Sequence, residues 1–474
     1  MRVRDRILGI ETELGVMLQT NGEFRSPELI PTRHYSEFIR EYKKGLYVAS
    51  GKGYLWHPNG SLSYLDYNDH PEHATAECRS ARDIVTTAKA GELIIADVFN
   101  QPYIHDTDTK FILFKNNLAF DANENISNAY GCHDNYSLHG NRSYSINEEF
   151  RKYLIPFLIT RQILDGAGWW DKYGRFHLSQ RAMMIRSVMT GSTTGDRGLV
   201  HFRGNDDTGT NERLHLILGD SNILETALYL KIGVTSLILA LVEQGLAPRI
   251  ECEDPVRSLR DISFNADPHG SFVDTANGER LSALEVQYRY FERAHSYLPH
   301  AEYDSEVARE ESLAVLSLWE KTLEAINSRN EKWIIGRLDY ATKKYLFEQQ
   351  CLRMTAATPE CIAITRKNFD IYYHNITDRI LQEQMNTRWA SRRIVSDAEI
   401  LHRTDTPPPD TRANLRGAFV KKVLTKTNIT QPGIVWNKME YRKEFAFHRE
   451  ISLQNPFRFQ DPEFDSFLEA MENS

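Results

Sequence analysis

The sequence is poor in cysteine and has no long apolar run. Five cysteines occur among 474 residues, they are widely spaced, and no two of them form a CxxC pair. Neither a zinc knuckle nor a disulfide framework is therefore predicted. The longest apolar-rich stretch, residues 232–242, is too short to span a bilayer, and the first residues carry charges without the apolar segment of a secretory signal. We expect a cytoplasmic protein with reduced thiols and no membrane partner.

A strong charge of one sign is also absent. The chain has 57 basic and 65 acidic residues, and its formal net charge of −8 does not favour a general nucleic-acid binder. It contains no GxxxxGKS or GxxxxGKT, no GxGxxG after a strand, no GxSxG and no HExxH. These absences exclude the standard P-loop, dinucleotide-binding, hydrolase-elbow and zinc-protease sites.

The N-terminal part of the chain has the pattern of β-strands. The first 140 residues are predicted to be strands, because apolar residues alternate with polar or small ones at a period of two. This alternation is clearest at Leu8, Ile10, Leu14 and Val16. Asn59 and Gly60 then predict the tight turn of a β-hairpin over residues 56–64.

Helical periodicity follows from residue 150 onward. Asp220 or Ser221 is predicted to cap a helix that runs to Gly245 and, being apolar nearly all round, lies at the centre of the core. Residues 191–211 are rich in glycine, threonine and aspartate and are predicted to form a loop, of a length typical of lids and binding loops. The proline-rich residues 405–410 separate a predicted catalytic domain, 1–400, from a small C-terminal domain, 401–474. The predicted fold class is α+β.

Acidic residues cluster in the predicted strands. Glu11 and Glu13 are two apart, so their side chains project from the same strand face. Four more acids follow within twelve residues, at Asp66, Asp69, Glu72 and Glu77. Carboxylates brought close together repel unless a cation neutralises them, and hard oxygen ligands suit Mg²⁺. The pattern predicts a site for a metal–nucleotide complex, with a solvated strand face and a charged loop as the alternatives.

Two further segments carry polar side chains. His, Asp and Asn follow one another at residues 133–135, where they offer ligands at a strand end, although a single His is more often structural. Arg197, Arg203 and Arg213 lie in or beside the glycine-rich loop. Arginine suits phosphate because its fork is bidentate and permanently charged. Solvated loop arginines are the alternative interpretation.

Eight segments occur in the order of one known family. They are GIETELGV, NGSLSYLDYNDHPEHATAEC, LFKNN, SNAYGCHDNY, PFLITRQILDGAG, LSQRA, RLHLILGDSNILETALYLKIG and PPPDTRANLRG. Together they resemble the Pup ligases and the Pup deamidases or depupylases, the proteasome accessory factor A family, which is related to glutamine synthetase and glutamate–cysteine ligase. Each motif alone is weak, but the ordered series, from Gly9 to about Trp436, is specific.

The resemblance implies both a fold and an activity. The implied fold is a glutamine-synthetase-like carboxylate–amine ligase, α+β in class, with a curved antiparallel sheet, a helical layer and a small C-terminal domain. The implied enzyme uses ATP and Mg²⁺ to phosphorylate the γ-carboxylate of the C-terminal glutamate of Pup or a Pup-like modifier. A lysine ε-amine of a target protein then displaces the phosphate and forms an isopeptide bond.

Carried over residue by residue, the resemblance implies a metal site and a base. Glu11, Tyr64 and Glu72 would ligate Mg²⁺, and the strand-face argument adds Glu13 to them. Asp66 would be the catalytic base, which is needed because a lysine with its reference pKa of about 10.4 is mostly protonated near neutral pH.

The same comparison implies the nucleotide contacts. Thr75 and Trp436 would contact ATP. Leu62 stands where the family usually has an ATP-contacting arginine, and leucine cannot bond a phosphate. Arg203 and Arg213, which match family positions, are predicted to supply the missing positive charge.

The resemblance favours the ligase over the deamidase. The segments ATAEC and GCHDN are similar to the ligase variants, and residues 17–58 leave little room for the insertion that deamidases carry. Three alternatives stay open at this point: a Pup deamidase or depupylase, a small-molecule glutamate–amine ligase, and a binding homologue that has lost activity.

Overall fold

The computed structural model describes residues 1–20, 23–25, 39–48, 53–66, 70–100, 109–120, 125–139, 148–191, 195, 197–201, 212–354, 358–426, 429–443 and 448–472. The chain divides into two compact units. The first comprises Met1–Arg6, Phe114–Arg203 and Leu214–Ile394, and the second comprises Ile7–Leu113, Gly204–Arg213 and Val395–Ser474. The division of the chain at residue 400 stays a prediction.

Strands and helices are distributed over both units. The strands in the described ranges are β1 (Arg2–Val3), β2 (Leu8–Glu13), β3 (Gly15–Thr20), β4 (Glu23–Arg25), β5 (Leu46–Val48), β6 (Tyr54–Trp56), β7 (Leu62–Leu65), β8 (Pro71–Ala74), β9 (Thr109–Phe114), β10 (Leu118–Phe120), β11 (Ile126–Ala129), β12 (Cys132–Leu138), β13 (Trp169–Trp170), β14 (Phe176–His177), β15 (Ser187–Thr190), β16 (Gly198–His201), β17 (Glu212–Leu216), β18 (Phe272–Asp274), β19 (Arg280–Ser282), β20 (Glu302–Tyr303), β21 (Ile429–Val435), β22 (Lys438–Lys443) and β23 (His448–Ser452). The α-helices there are α1 (Ala81–Phe99), α2 (Glu148–Thr160), α3 (Gln162–Asp165), α4 (Glu225–Val242), α5 (Pro255–Asn265), α6 (Ala283–Tyr297), α7 (Glu306–Asn327), α8 (Glu331–Ile334), α9 (Asp339–Cys351), α10 (Pro359–Tyr373), α11 (Ile380–Arg388), α12 (Asp397–Arg403), α13 (Ala413–Thr425) and α14 (Pro462–Glu472).

The second unit contains the antiparallel strands that the sequence predicts. They are neighbours in the order β2-β8-β7-β6-β5, and each adjacent pair is antiparallel. The predicted hairpin turn is confirmed, because Gly60 joins β6 to β7 with φ of 79°, a conformation that glycine adopts without steric cost. Ile10 and Leu14, two of the alternating apolar residues, are buried as expected.

The prediction of strands alone in the first 140 residues was wrong for residues 81–99. These residues form α1, whose N-terminus is capped by Ser80: its hydroxyl accepts a hydrogen bond from the backbone N–H of Asp83 at 2.9 Å. The helix is buried on most of its surface, including Ile84 and Val85. Ser80, a residue type that commonly caps helices, was a signal of this helix in the sequence.

A central helix organises the first unit. Among the described residues, α4 is long and apolar enough to cross a membrane, but 94% of it is buried inside the protein, which confirms its predicted place in the core. The predicted cap at Asp220 or Ser221 was wrong, because α4 begins at Glu225. The carboxylate of Asp339 accepts hydrogen bonds from the backbone N–H groups of Ile223 and Leu224 just before it. A residue distant in sequence therefore accepts hydrogen bonds from backbone N–H groups at the start of the helix, as the side chain of a local cap would.

The C-terminal segment of the second unit packs on the strands that carry the acidic residues. Trp56, Leu62 and Ala74 of the sheet form one apolar cluster with Leu415 and Phe419 of α13. Strands β21, β22 and β23 form an antiparallel sheet, and apolar residues of this sheet and of α14 join the same cluster. Each fully buried large apolar side chain stabilises such a core by about 1.5–3 kcal/mol, so the cluster anchors the C-terminal segment firmly.

Candidate active site

The strand register brings the predicted metal ligands to one face of the sheet. Glu13 lies directly opposite Glu72, and Glu72 lies directly opposite Tyr64. Glu11 lies opposite Ala74 in the next row. Residues opposite each other, and residues two apart on a strand, share a face. Four predicted ligands from three strands of the second unit are therefore brought together.

Three carboxylates form a close group on this face. Oxygen atoms of Glu13, Asp66 and Glu72 all lie within 4.8 Å of one another. Burial, together with the negative charges of Glu11, Glu13 and Asp66, raises the pKa of Glu72 well above its ordinary value. The group is therefore electrostatically unfavourable by itself, and a divalent cation coordinated by these oxygens would stabilise the charged form.

Tyr64 belongs to the same group through Glu72. Burial and the Glu72 carboxylate raise the pKa of the Tyr64 phenol well above its ordinary value, and the two side chains share a hydrogen bond. The phenol therefore stays protonated near neutral pH and offers a neutral oxygen beside the carboxylates.

Two basic side chains border the carboxylates. Nη2 of Arg213 lies 3.5 Å from Oε1 of Glu11, and Nδ1 of His70 lies 3.6 Å from Oε2 of Glu13. Arg213 is thus brought to the predicted site as expected. Arg203, the other predicted phosphate ligand, lies outside the described residues.

The side chains of this sheet face change from acidic to aromatic along a row of paired residues. Glu11, Ala74, Leu62 and Trp56 are successive cross-strand neighbours. The half-buried Trp436, which lies in the turn between β21 and β22, has its ring centroid 4.9 Å from that of Trp56. Acids at one end suit the metal and phosphates of a nucleotide, and aromatic rings at the other end suit its base.

Leu62 lies between these two ends and takes part in the core. Its side chain is 3% exposed and packs in the apolar cluster with Trp56, Ala74 and Phe419. The position where the resemblance leads one to expect an arginine therefore contributes apolar packing in this chain.

Thr75 has a different environment from the acids. It is buried, its hydroxyl accepts a hydrogen bond from the backbone N–H of Ile10 at 3.0 Å, and its own N–H donates to the Ile10 carbonyl at 2.9 Å. The side chain is therefore engaged with the backbone of β2. Its contact with a nucleotide stays a prediction.

Glu77 does not belong to the predicted acidic group. Its carboxylate forms ion pairs with Arg412, at 2.9 Å, and with Arg416. Burial by itself would raise the pKa of Glu77, but the two guanidinium groups outweigh this effect and lower the pKa to about 2. Glu77 is therefore a structural anion, and Asp69, the fourth acid of the segment, lies outside the described residues.

The predicted ligand Asp134 is likewise a structural ion. It is fully buried, and its Oδ2 lies 2.7 Å from Nη1 of Arg161. Nε of the same arginine lies 2.9 Å from Oδ2 of Asp165. Burial opposes ionisation, but Arg161 and Lys231 outweigh it and lower the pKa of Asp134. The interpretation of Asp134 as a free ligand was wrong because its partner is distant in sequence.

The sequence reasoning did not consider His201 and His215, two histidines of the first unit. The ring centroid of His133 lies 4.9 Å from that of His215, and His215 stacks on His201 at 5.4 Å. The signal was available, since His201 lies within the predicted loop and His215 follows it. The prediction of a loop was wrong for residues 198–201, which form β16. Arg197, predicted in the same loop, also belongs to this unit, where its carbonyl accepts a hydrogen bond from Arg186 at 2.8 Å.

Comparison with known sequences gives one family. A family model described as "Pup-ligase protein" matches residues 6–440. A Pup–protein ligase of Arthrobacter sp. (strain FB24) is 33% identical over 478 residues, which cover 98% of this chain and 99% of that protein. A Pup–protein ligase of Mycobacterium ulcerans (strain Agy99) is 31% identical over 480 residues, with the same coverage of both chains.

Two solved structures are similar over nearly the whole chain. The crystal structure of the complex between the prokaryotic ubiquitin-like protein Pup and its ligase PafA has a TM-score of 0.83 at 29% identity, covering 99% of this chain and 92% of that one. The structure of the Pup ligase PafA in complex with ADP has a TM-score of 0.75 at 28% identity, covering 94% of each chain. The predicted α+β carboxylate–amine ligase fold is confirmed by these likenesses. Within that class, the chain belongs to the Pup-ligase family.

Proposed function

We propose that this protein is an ATP- and Mg²⁺-dependent ligase. It joins the γ-carboxylate of the C-terminal glutamate of Pup, or of a Pup-like modifier, to lysine ε-amines of target proteins. The observation that carries the proposal is the group of carboxylates of Glu13, Asp66 and Glu72 on one sheet face, in a chain of the Pup-ligase family. The similar structures are described as complexes of a ligase with Pup and with ADP, which supports a protein modifier and a nucleotide as ligands.

The donor set fits Mg²⁺. Glu11, Glu13, Tyr64 and Glu72 would hold the ion with hard oxygen atoms. Burial and then repulsion from the neighbouring carboxylates raise the pKa of Glu72, and a cation would offset both effects. When bound, the ion neutralises negative charge that develops during phosphoryl transfer.

Activation of the modifier requires a leaving group. A carboxylate is a poor electrophile, and phosphorylation by ATP converts it into an acyl phosphate. Arg213 borders the acids and would complement the charge of the phosphates, while Trp436 at the aromatic end would contact the base.

Asp66 is proposed as the base for the second step. The lysine ε-amine attacks the acyl phosphate, a C–N bond forms, phosphate leaves, and Asp66 takes a proton from the attacking nitrogen. Asp66 lies in the acidic group with Glu13 and Glu72, and this negative charge attracts a lysine ammonium before its proton is removed.

The cytoplasm is the proposed location. ATP is a cytoplasmic substrate, and all five cysteines, each in a described range, are unpaired. Unpaired cysteines are typical of a reducing compartment.

The decisive experiment combines the purified protein, a Pup that ends in Gly-Gly-Glu, an acceptor protein and Mg·ATP. We expect a covalent conjugate and one ADP and one phosphate released per isopeptide bond. A Pup that ends in Gly-Gly-Gln serves as the comparison substrate. Release of ammonia from it, without nucleotide turnover or conjugate, would instead show a deamidase.

A further inference from the structure

Arg416 is a buried cation whose hydrogen-bonding capacity is completely used. It lies on α13 and is fully enclosed. Its Nε and Nη2 donate to the carbonyl of Gly60 at 3.1 and 2.8 Å. Its Nη1 donates to Oε1 of Glu77 at 3.1 Å and to the carbonyl of Trp436 at 2.9 Å, and Nη2 also donates to Oε2 of Glu77. All five N–H groups are engaged, so no donor of Arg416 is left for a substrate.

The same guanidinium contacts two aromatic rings. Its central carbon lies 5.1 Å from the ring centroid of Trp56 and 4.7 Å from that of Trp436. The two indole rings meet edge to face, with an interplanar angle of 78°. A cation over an aromatic face is attracted by the ring quadrupole, and this attraction strengthens in a desolvated site. Arg416 therefore fixes both the backbone and the ring of Trp436.

Arg412, one helical turn earlier, provides an internal comparison. It forms an ion pair with the same Glu77 at 2.9 Å and is also buried. The remaining described hydrogen bonds of its side chain go to the carbonyl groups of Leu453 and Gln454. Arg412 and Arg416 thus have similar burial and share an anion, but their neutral partners differ.

We propose that Arg416 is a positioning residue for nucleotide binding, which acts by holding Trp436 against Trp56 at the aromatic end of the sheet face. The inference rests on the proposed function, in which Trp436 contacts ATP. Arg416 joins the hairpin turn at Gly60, the anion Glu77 and the turn at Trp436, so it links the C-terminal segment to the strands that carry the acids. Lysine cannot replace it, since an ammonium has three donors and no planar fork.

The test compares Arg416→Lys with Arg412→Lys by calorimetric titration with Mg·ADP and by thermal unfolding. We expect Arg416→Lys to raise the Kd by about tenfold, the loss typical of one aromatic ring that stacks on a base, and to raise KM for ATP more than it lowers kcat. Arg412→Lys is expected to lower Tm to a similar extent and to change the Kd by less than about twofold. Equal effects of both variants on the Kd would overturn the proposal, because they would indicate general destabilisation.

A double-mutant cycle distinguishes action through Trp436 from an independent effect. Trp436→Ala should raise the Kd for Mg·ADP, and Arg416→Lys should add no further increase in that background. If the increases in Kd caused by the two substitutions instead add up in the double variant, the positioning role is refuted. If Arg416→Lys yields no folded protein, Arg416→Gln takes its place in the same cycle, with the same expected and contrary results.

Failure of the proposed role of Arg416 can be distinguished from failure of the proposed ligase activity. A parent protein that binds Mg·ADP but forms no Pup conjugate removes the proposed function, while the Kd values still decide the role of Arg416. A parent that forms conjugates, with a Trp436→Ala variant whose Kd and KM are unchanged, removes the role of Arg416 and leaves the ligase activity.

Discussion

Glu13 and Glu72 lie directly opposite each other on the neighbouring antiparallel strands β2 and β8. Like charges in this arrangement destabilise a sheet. Asp66 adds a third carboxylate within 4.8 Å of both. The backbone therefore maintains a concentration of negative charge, and a bound divalent cation would reduce the energetic cost of this charge.

Replacing one of these acids should separate metal binding from folding. We expect Glu72→Gln to weaken binding of Mg·ADP by at least about tenfold, because a neutral amide is a poorer ligand than a carboxylate. Its Tm in EDTA should equal or exceed that of the parent, since repulsion with Glu13 and Asp66 is relieved. Addition of Mg²⁺ should raise Tm in the parent alone.

The control is Glu41→Gln, an exposed acid of the same unit that pairs with Arg40. It should leave both the affinity and the melting temperature unchanged. Equal affinity of the parent and Glu72→Gln for Mg·ADP would remove Glu72 from the metal site.

Asp66→Asn should bind nucleotide but fail in the transfer to lysine. The change preserves shape and removes the base, which typically costs about 10²–10⁴ in rate. The measurements are the rate of conjugation at saturating ATP and the calorimetric affinity for the nucleotide, both for the parent and for Asp66→Asn. Raising the pH should restore part of the rate, because more of the lysine is then deprotonated. A normal rate near neutral pH would exclude Asp66 as the base, and loss of nucleotide affinity would make it a metal ligand instead.

Arg213 should contribute to ATP binding in place of the arginine that Leu62 replaces. We expect Arg213→Ala to raise the KM for ATP by about tenfold, the loss typical of a hydrogen bond to a charged group. Arg289→Ala serves as control, since Arg289 pairs with Glu279 in the other unit. Unchanged ATP dependence of Arg213→Ala would show that this site binds phosphate without that residue.

The ion pairs of Glu77 should make the free energy of unfolding decrease at acidic pH. Its folded-state pKa, about 2, lies below its ordinary value of 4.5, so its ionisation stabilises the fold fully above about pH 4.5. That contribution, about 3 kcal/mol, is lost as the pH falls from 4.5 towards 2. Urea unfolding of the parent and Glu77→Gln should show a difference in unfolding free energy that shrinks across this range. A difference that stays constant from pH 6 to pH 2.5 would contradict the ion-pair assignment.

Much of the local structure and of the acidic group could be predicted. The period-two pattern gave β2, the Asn59–Gly60 turn gave the hairpin, and the apolar composition of α4 placed that helix in the core. Glu11 and Glu13 were expected on one face because side chains alternate along a strand. These features depend on residues close in sequence, so their physical causes are visible in the sequence.

Charge pairing was less predictable. Asp134 and Glu77 were both interpreted as ligands from their neighbours in the chain, yet Asp134 pairs with Arg161 and Glu77 with Arg412 and Arg416. The side chains of Arg416 and Glu77 are 339 positions apart in sequence. Whether a carboxylate is a ligand or a structural anion depends on which distant cation the fold brings to it.

The sequence by itself determined the strand alternation, the buried central helix, the set of acids and, through its ordered motifs, the family. Only the tertiary structure decided that Tyr64 and Glu72 lie opposite each other on adjacent strands, that the carboxylate of Asp66 lies close to that of Glu13, and that Arg416 contacts the ring of Trp436. The reason is physical. Backbone propensity and side-chain periodicity act over a few residues, whereas burial, repulsion and ion pairing depend on distances that exist only after the chain has folded.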